Sequence, residues 1–127
     1  LESNSTLTDL NLQSHSHGYS LASSPVRISA TGAHAIAKML AVNRALKSAN
    51  LGGNRIGDEG TAALSKALKS NSTLEELKLS ENKIGAAGAQ SLADMLQVNR
   101  ALTSLDLYNN ETGAGGAEAI AAALPQS

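Results

Sequence analysis

Apolar and polar positions along this chain recur with a period of twenty-eight residues. The clearest copy is LEELKLSENKIGAAGAQSLADMLQVNRA, Leu74 to Ala101. In it Leu74, Leu77, Leu79 and Asn82 align with Leu46, Ala49, Leu51 and Asn54 before, and with Leu102, Leu105, Leu107 and Asn110 after. Inside one copy the period changes. Leu77 and Leu79 are two apart, which places them on one face of a strand, with Glu76, Lys78 and Ser80 on the other. Beyond Gly85 the residues Gly88, Ser91, Leu92, Met95 and Leu96 fall at the three-and-four spacing of a helix face. Each copy therefore predicts a short strand, a turn and a helix. A unit of that size cannot bury its own apolar face. Stacked units can, between a parallel sheet and a row of helices, so the fold class is an α/β solenoid. The chain reads as a single domain over 1–127, with repeats at 7–45, 46–73, 74–101 and 102–127, the last incomplete.

The first repeat departs from the period. Leu7, Leu10 and Leu12 predict its strand, and the helix pattern resumes with Gly32, Ala35, Ile36, Met39 and Leu40. Between them lies SHSHGYSLASSP, Ser14 to Pro25, whose Gly, Ser and Pro content reads as an inserted loop. Removing Ser16 to Ser24 is expected to leave the fold intact, because the insertion carries no repeat leucine. LESNST at Leu1 matches LKSNST at Leu68, so Leu1 is expected to end a preceding helix. Glycine returns in the first turn of every predicted helix, at Gly32, Gly60, Gly88 and Gly116. Such glycines cost helix propensity, and their recurrence predicts close backbone approach between stacked units. Asp58 and Glu59 open the second helix, where carboxylates suit the positive end of the dipole. Pro125 is placed just past the last helix.

The pattern N-x-x-L-x-x-L-x-L-x-x-N-x-I-G-x-x-G-A-x-x-L-A-x-x-L resembles the ribonuclease-inhibitor type of leucine-rich repeat, and the C-terminal arrays of NOD-like receptors in particular. The Ser14 to Pro25 insertion lies outside that pattern, and Thr112 stands where Ile56 and Ile84 stand. The resemblance implies a right-handed horseshoe segment, with strands on a concave face and helices on a convex one. It also implies a protein–protein interaction scaffold and no single partner. Two other readings come from similar repeats: a small-GTPase regulator like the Ran GTPase activators, and a cytoskeletal assembly or capping module like tropomodulin.

Composition narrows the classes. Aromatic residues make up 2% of the chain, so the core must be leucine, isoleucine, methionine and alanine. A formal net charge of −1 argues against a nucleic-acid partner, which calls for a basic excess. No cysteine is present, which excludes disulfides and thiolate metal sites and suits an intracellular, cytoplasmic protein. No apolar run approaches the roughly 20 residues of a membrane span, and no signal peptide is visible, so no membrane role is expected. No phosphate loop, nucleophile elbow or acid/base pair is found, so the reading is no enzyme and no cofactor. His15 and His17, with His34 more distant, form only a weak imidazole set, and no metal is expected.

The candidate binding residues follow from the strand alternation. The outer sheet face is expected to carry Asp9, Asn11 and Gln13, then Ser48 and Asn50, then Glu76 and Lys78, then Asp106 and Tyr108. Tyr108 is the only aromatic of that face, and tyrosines are enriched at binding hot spots. Arg27, Arg55 and Lys83 are expected to stack beyond the strands, with Glu111 ending the row, and Tyr19 of the inserted loop shares that edge. Asn54, Asn82 and Asn110 read as a structural ladder satisfying backbone groups in the turns. Asn4, Asn71 and Asn110 also lie in glycosylation sequons. The ends of the stack are apolar, with Leu7, Leu10 and Leu12 at one and Leu105, Leu107, Ile120 and Leu124 at the other. Each end also leaves a strand edge unpaired. Either further repeats or self-association through uncapped ends is expected.

Overall fold

Among the described residues strand and helix alternate four times, as the change of period requires: β1 (Asp9–Asn11), α1 (Ala30–Val42), β2 (Ser48–Asn50), α2 (Gly57–Leu68), β3 (Glu76–Lys78), α3 (Ala86–Val98), β4 (Ser104–Asp106) and α4 (Gly113–Ala123). The structure is a computed structural model, and it describes residues 7–13 and 28–123. The Ser14 to Pro25 insertion, with Tyr19, His15 and His17, lies outside the described residues, as do Leu1, Arg27, Leu124 and Pro125.

The strands form one parallel sheet in the order β1-β2-β3-β4. Register repeats at an offset of 28 residues from β2 to β3 and from β3 to β4, and at 39 from β1 to β2. The excess is absorbed between Leu12 and Ile28, because the backbone N–H of Ile28 reaches Asn54 Oδ1 at 2.8 Å and Ser29 bridges Arg55. Ile28 thus takes the place that Ile56 and Ile84 hold in later repeats, a role its sequence context hides.

Each helix packs on the next, and one apolar core joins residues of the helices to the inward-facing residues of the strands. The core between the two layers is built from recurring leucines: Leu46, Leu74, Leu77, Leu51, Leu79, Leu64 and Leu92 are fully buried. Among the helix positions expected to face this core, Gly60, Leu64, Ala67 and Leu68 are buried, whereas Ala35 of α1 is exposed. Other small residues take up burial instead. Ala33, Thr61 and Ala89 are buried, and the Cβ atoms of Ala33 and Ala89 lie against Gly60 and Gly116 of the following helix, so a second helix face is closed by stacking. Gly60 is tightest there. A Cβ on it would sit 2.9 Å from the Ala33 Cβ and 3.2 Å from the Ala30 Cα, and Gly88 and Gly116 likewise approach the Asp58 and Ala86 Cα atoms of the preceding helix, whereas among the described residues a Cβ on Gly32 would meet only Ile28 of its own repeat.

Two asparagine columns join the repeats. In the strand-to-helix turns, Asn54 and Asn82 are buried. Asn82 Nδ2 donates to the carbonyls of Leu51 (2.8 Å) and Ser80 (3.1 Å), and its Oδ1 accepts from Ile56 N at 3.3 Å. Asn110 Oδ1 accepts from the backbone N–H groups of Asn82 (2.8 Å) and Ile84 (3.0 Å). The second column stands on the helix-to-strand side and was not foreseen. Asn71 Nδ2 donates to the carbonyls of Leu40 (2.8 Å) and Asn43 (3.2 Å), while its Oδ1 accepts from Thr73 and Leu74. Asn99 repeats the arrangement on Leu68 and Asn71, and Asn43 Oδ1 accepts from Ala45 and Leu46. Asn71 is therefore a buried structural residue whose amide is fully engaged, so its sequon has no free nitrogen in the folded chain.

Candidate protein-interaction surface

Strand alternation sends Leu77 into the core and leaves Glu76 and Lys78 half-buried on the opposite, helix-free face. Parallel register then lines up the same positions of every strand. One column reads Asp9, Ser48, Glu76, Ser104, and a second reads Asn11, Asn50, Lys78, Asp106. Gln13, Gly52, Ser80 and Tyr108 follow one step further along. The structure thus brings Asp9, Asn11, Gln13, Asn50, Glu76, Lys78, Asp106 and Tyr108 onto one continuous polar face.

Much of that face is already internally bonded. Ser48 Oγ donates to Glu76 Oε1 at 3.0 Å, and Lys78 Nζ lies 3.9 Å from Glu76 Oε2. Asn50 Nδ2 donates to Gln13 Oε1 at 3.2 Å. At the strand ends the side-chain oxygens of Asn11, Asn50 and Asp106 each accept from the backbone N–H two residues on, at 3.0, 3.0 and 2.9 Å. These short Asx bonds turn the chain out of the strand, so the three residues have a local structural duty besides any contact with a partner. Tyr108 is different: it is 76% exposed, at the turn that its backbone N–H closes by donating to Asp106 Oδ1.

Arg55 and Lys83 are exposed, but they stand in the strand-to-helix turns, beyond the ladder asparagines and off the sheet face. Their row is not uniform. Lys83 adopts φ +58°, a left-handed conformation shared by neither Arg55 nor Glu111. The same turn receives a contact from Asp58. Its Oδ1 accepts from the N–H groups of Gly85 (2.7 Å) and Gly88 (2.9 Å), so it caps α3 of the following repeat. Gly85 is held extended as the N-cap, whereas the matching Gly57 and Gly113 are left-handed. Asp58 was expected to serve the dipole of its own helix, and it caps a neighbour's N-terminus as well. Glu59 lies 3.6 Å from His34 Nε2.

Two residues of this surface escaped the sequence reading. Glu81 and Asn109 occupy left-handed turns, φ 55° and 59°, and Asn109 Nδ2 donates to Glu81 Oε2 at 3.3 Å, next to Tyr108. The signal was present: both align with Gly53, which has φ 73°. Among the described residues no cluster of three metal-ligating side chains occurs, and no helix is long and apolar enough to cross a membrane.

A family model described as Leucine Rich repeat matches residues 42–65, 70–93 and 98–121, more than half of the chain. The chain matches no curated protein sequence. Among solved structures it is similar to one titled "Leiomodin-1 Actin-Binding Site 2 (ABS2)", with a TM-score of 0.76 and 23% identity over 91% of this chain. The match spans 62% of that chain, and at this identity it speaks for the fold. With three consecutive repeats matched and four parallel strands backed by four helices, the chain belongs to the leucine-rich repeat family.

Proposed function

We propose that this repeat array is a protein-interaction module whose docking surface is the helix-free face of the sheet, with Tyr108 as its anchor. The observation that carries the reading is an in-register polar face that ends at a tyrosine 76% exposed. A partner that covers Tyr108 removes a large amphipathic side chain from water, and tyrosine loses little conformational entropy in doing so. Glu76, Lys78, Asp106 and the Glu81–Asn109 pair then act as a polar rim that sets orientation. Arg55 and Lys83 border this face and are reserved for a partner large enough to span the turns. The ribonuclease-inhibitor-like and NOD-like-receptor-like character of the repeats, a cytoplasmic setting and the absence of catalysis remain parts of the same reading.

The test is affinity capture from source-cell extract with three proteins: wild type, a Tyr108→Ala/Lys78→Glu double variant, and Gln97→Glu on the helix row. The reading expects proteins held by wild type and Gln97→Glu to be lost from the double variant. Equal capture by all three would refute it.

A cytoskeletal role is the second reading. It is favoured by the fold shared with a structure whose title names an actin-binding site. Co-sedimentation with actin filaments decides it, because a module of that kind pellets with filaments and an unrelated repeat array stays in the supernatant.

A further inference from the structure

The helix-free face of the sheet is acidic, and the rest of the molecule is not. Among the described residues the strands turn Asp9, Glu76, Lys78 and Asp106 toward this face, and Glu81 joins them from the turn bonded to Tyr108. Four carboxylates thus stand against one ammonium. Lys78 pairs with Glu76 Oε2, at 3.9 Å, rather than with its register neighbour Asp106. The flanking rows do not reverse the sign. Lys47 and Glu75 pair at 3.8 Å before the strands, and Arg55 and Lys83 against Glu111 in the turns leave one positive charge. The whole chain carries a formal charge of −1, so the acidity is local to this face.

Two of these carboxylate residues are tied to Tyr108, the exposed aromatic of the face. The Tyr108 N–H donates to Asp106 Oδ1 at 2.9 Å, and the Tyr108 carbonyl accepts from the Glu81 N–H at 2.9 Å. Asn109 Nδ2 holds Glu81 Oε2 at 3.3 Å. Asp106 Oδ2 and Glu81 Oε1 have no hydrogen-bond or ion-pair partner among the described residues. The fold demands neither charge. Asn11 and Asn50, at the matching positions of β1 and β2, close the same bond as Asp106 with a neutral amide. Gly53 and Asn109 take the left-handed place that Glu81 takes, and both are neutral. Glutamate suits that conformation less well than glycine or asparagine does. An exposed tyrosine beside two free carboxylate oxygens matches a guanidinium best. That group lies flat on an aromatic ring while its N–H groups point in its own plane toward carboxylate oxygens.

We propose that the partner of this face is a basic segment of another protein, one arginine of which stacks on Tyr108 and donates to Asp106 Oδ2 and Glu81 Oε1. The inference rests on the docking role proposed above for the sheet face and names the chemistry that the face selects. Nucleic acids and anionic lipid surfaces are repelled by the same carboxylates, and an acidic protein is repelled likewise. An ammonium would meet the carboxylates as a point charge, without the planar match to the ring.

The experiment titrates the isotope-labelled full chain with a short peptide of alternating arginine and serine, read by backbone amide shifts at low salt. Saturable shifts are expected at Glu81, Tyr108 and Asn109, weakening as added salt shortens the screening length. The same peptide with citrulline, a neutral isostere, in place of arginine should bind about tenfold weaker or worse. Asp106→Asn/Glu81→Asn puts at each position a residue that a matching position already carries, so it keeps the fold and should also bind about tenfold weaker. Tyr108→Ala should weaken binding too, whereas Glu118→Gln, which removes an exposed carboxylate of α4, should bind as wild type. The amide spectrum of each variant reports its fold. Failure to saturate, equal binding of the citrulline peptide, equal affinity in the double variant, or an equal loss in Glu118→Gln would overturn the proposal. Capture from extract separates the two conclusions. If Tyr108→Ala loses the captured proteins and Asp106→Asn/Glu81→Asn keeps them, the face docks a partner that is not basic, and this inference alone falls. If Tyr108→Ala keeps them as well, the docking role falls with it.

Discussion

Replacing Asn82 with alanine tests whether the repeats are held together by side-chain amides or by apolar stacking alone. Asn82 is fully buried and serves two repeats at once. Its two acceptors each keep another donor: the Leu51 carbonyl still receives Asn54 Nδ2 at 2.8 Å, and the Ser80 carbonyl still receives Gly53 N at 2.8 Å. The Ile56 N–H is in a different position, because Asn82 Oδ1 is its partner and Ile56 is 1% exposed. Leaving one buried donor without a partner costs about 1–3 kcal/mol, and the two lost donations add about 1 kcal/mol more. Asn82→Ala should therefore destabilise the fold by about 2–4 kcal/mol. Lys78→Ala, which loses only a half-exposed ion pair, should stay within about 0.5 kcal/mol. Urea denaturation followed by circular dichroism reads both midpoints, with equal slopes required for the comparison. Coincident midpoints would show that water replaces the ladder amide at no cost, and the ladder argument would fail.

Four other outcomes follow from named contacts. Asn71→Ala in the second column should cost about 1–3 kcal/mol, whereas exposed Ser72→Ala should be nearly neutral, and their denaturation midpoints decide it. Gly60→Ala should destabilise by about 1–3 kcal/mol through overpacking against Ala33 and Ala30; Gly115→Ala, with nothing within 4 Å of the new Cβ, should stabilise by about 0.5–1 kcal/mol. Asp58→Ala should cost about 1 kcal/mol as a lost cap. Gly88→Ala should be less harmful in that background than alone, because its Cβ would otherwise lie 2.7 Å from Asp58 Oδ1; a double-mutant cycle with no coupling would contradict the cross-repeat cap. Ser65→Ala should raise stability by about 1 kcal/mol in the same assay, because the buried Ser65 hydroxyl has no partner among the described residues.

The sequence by itself determined what recurs. A strand face at Leu77 and Leu79, a helix face at Leu92 and Leu96, the Asn54–Asn82–Asn110 column and the crowding at Gly60 each repeat at the same offset, and a period is visible without coordinates. It also determined which residues share the helix-free face, because strand alternation and register follow from the leucines. The tertiary structure decided what crosses between copies. Asn43, Asn71 and Asn99 recur too, yet an asparagine after a helix reads locally as a turn residue. Its donation to a carbonyl of the preceding repeat exists only once the repeats are stacked. Asp58 has no counterpart in the other copies, and the repeat that it contacts has Lys83 as its left-handed residue where the others have Gly57 and Gly113; no period announces that Asp58 caps α3, because that contact joins neighbours in space and a sequence orders neighbours only along the chain.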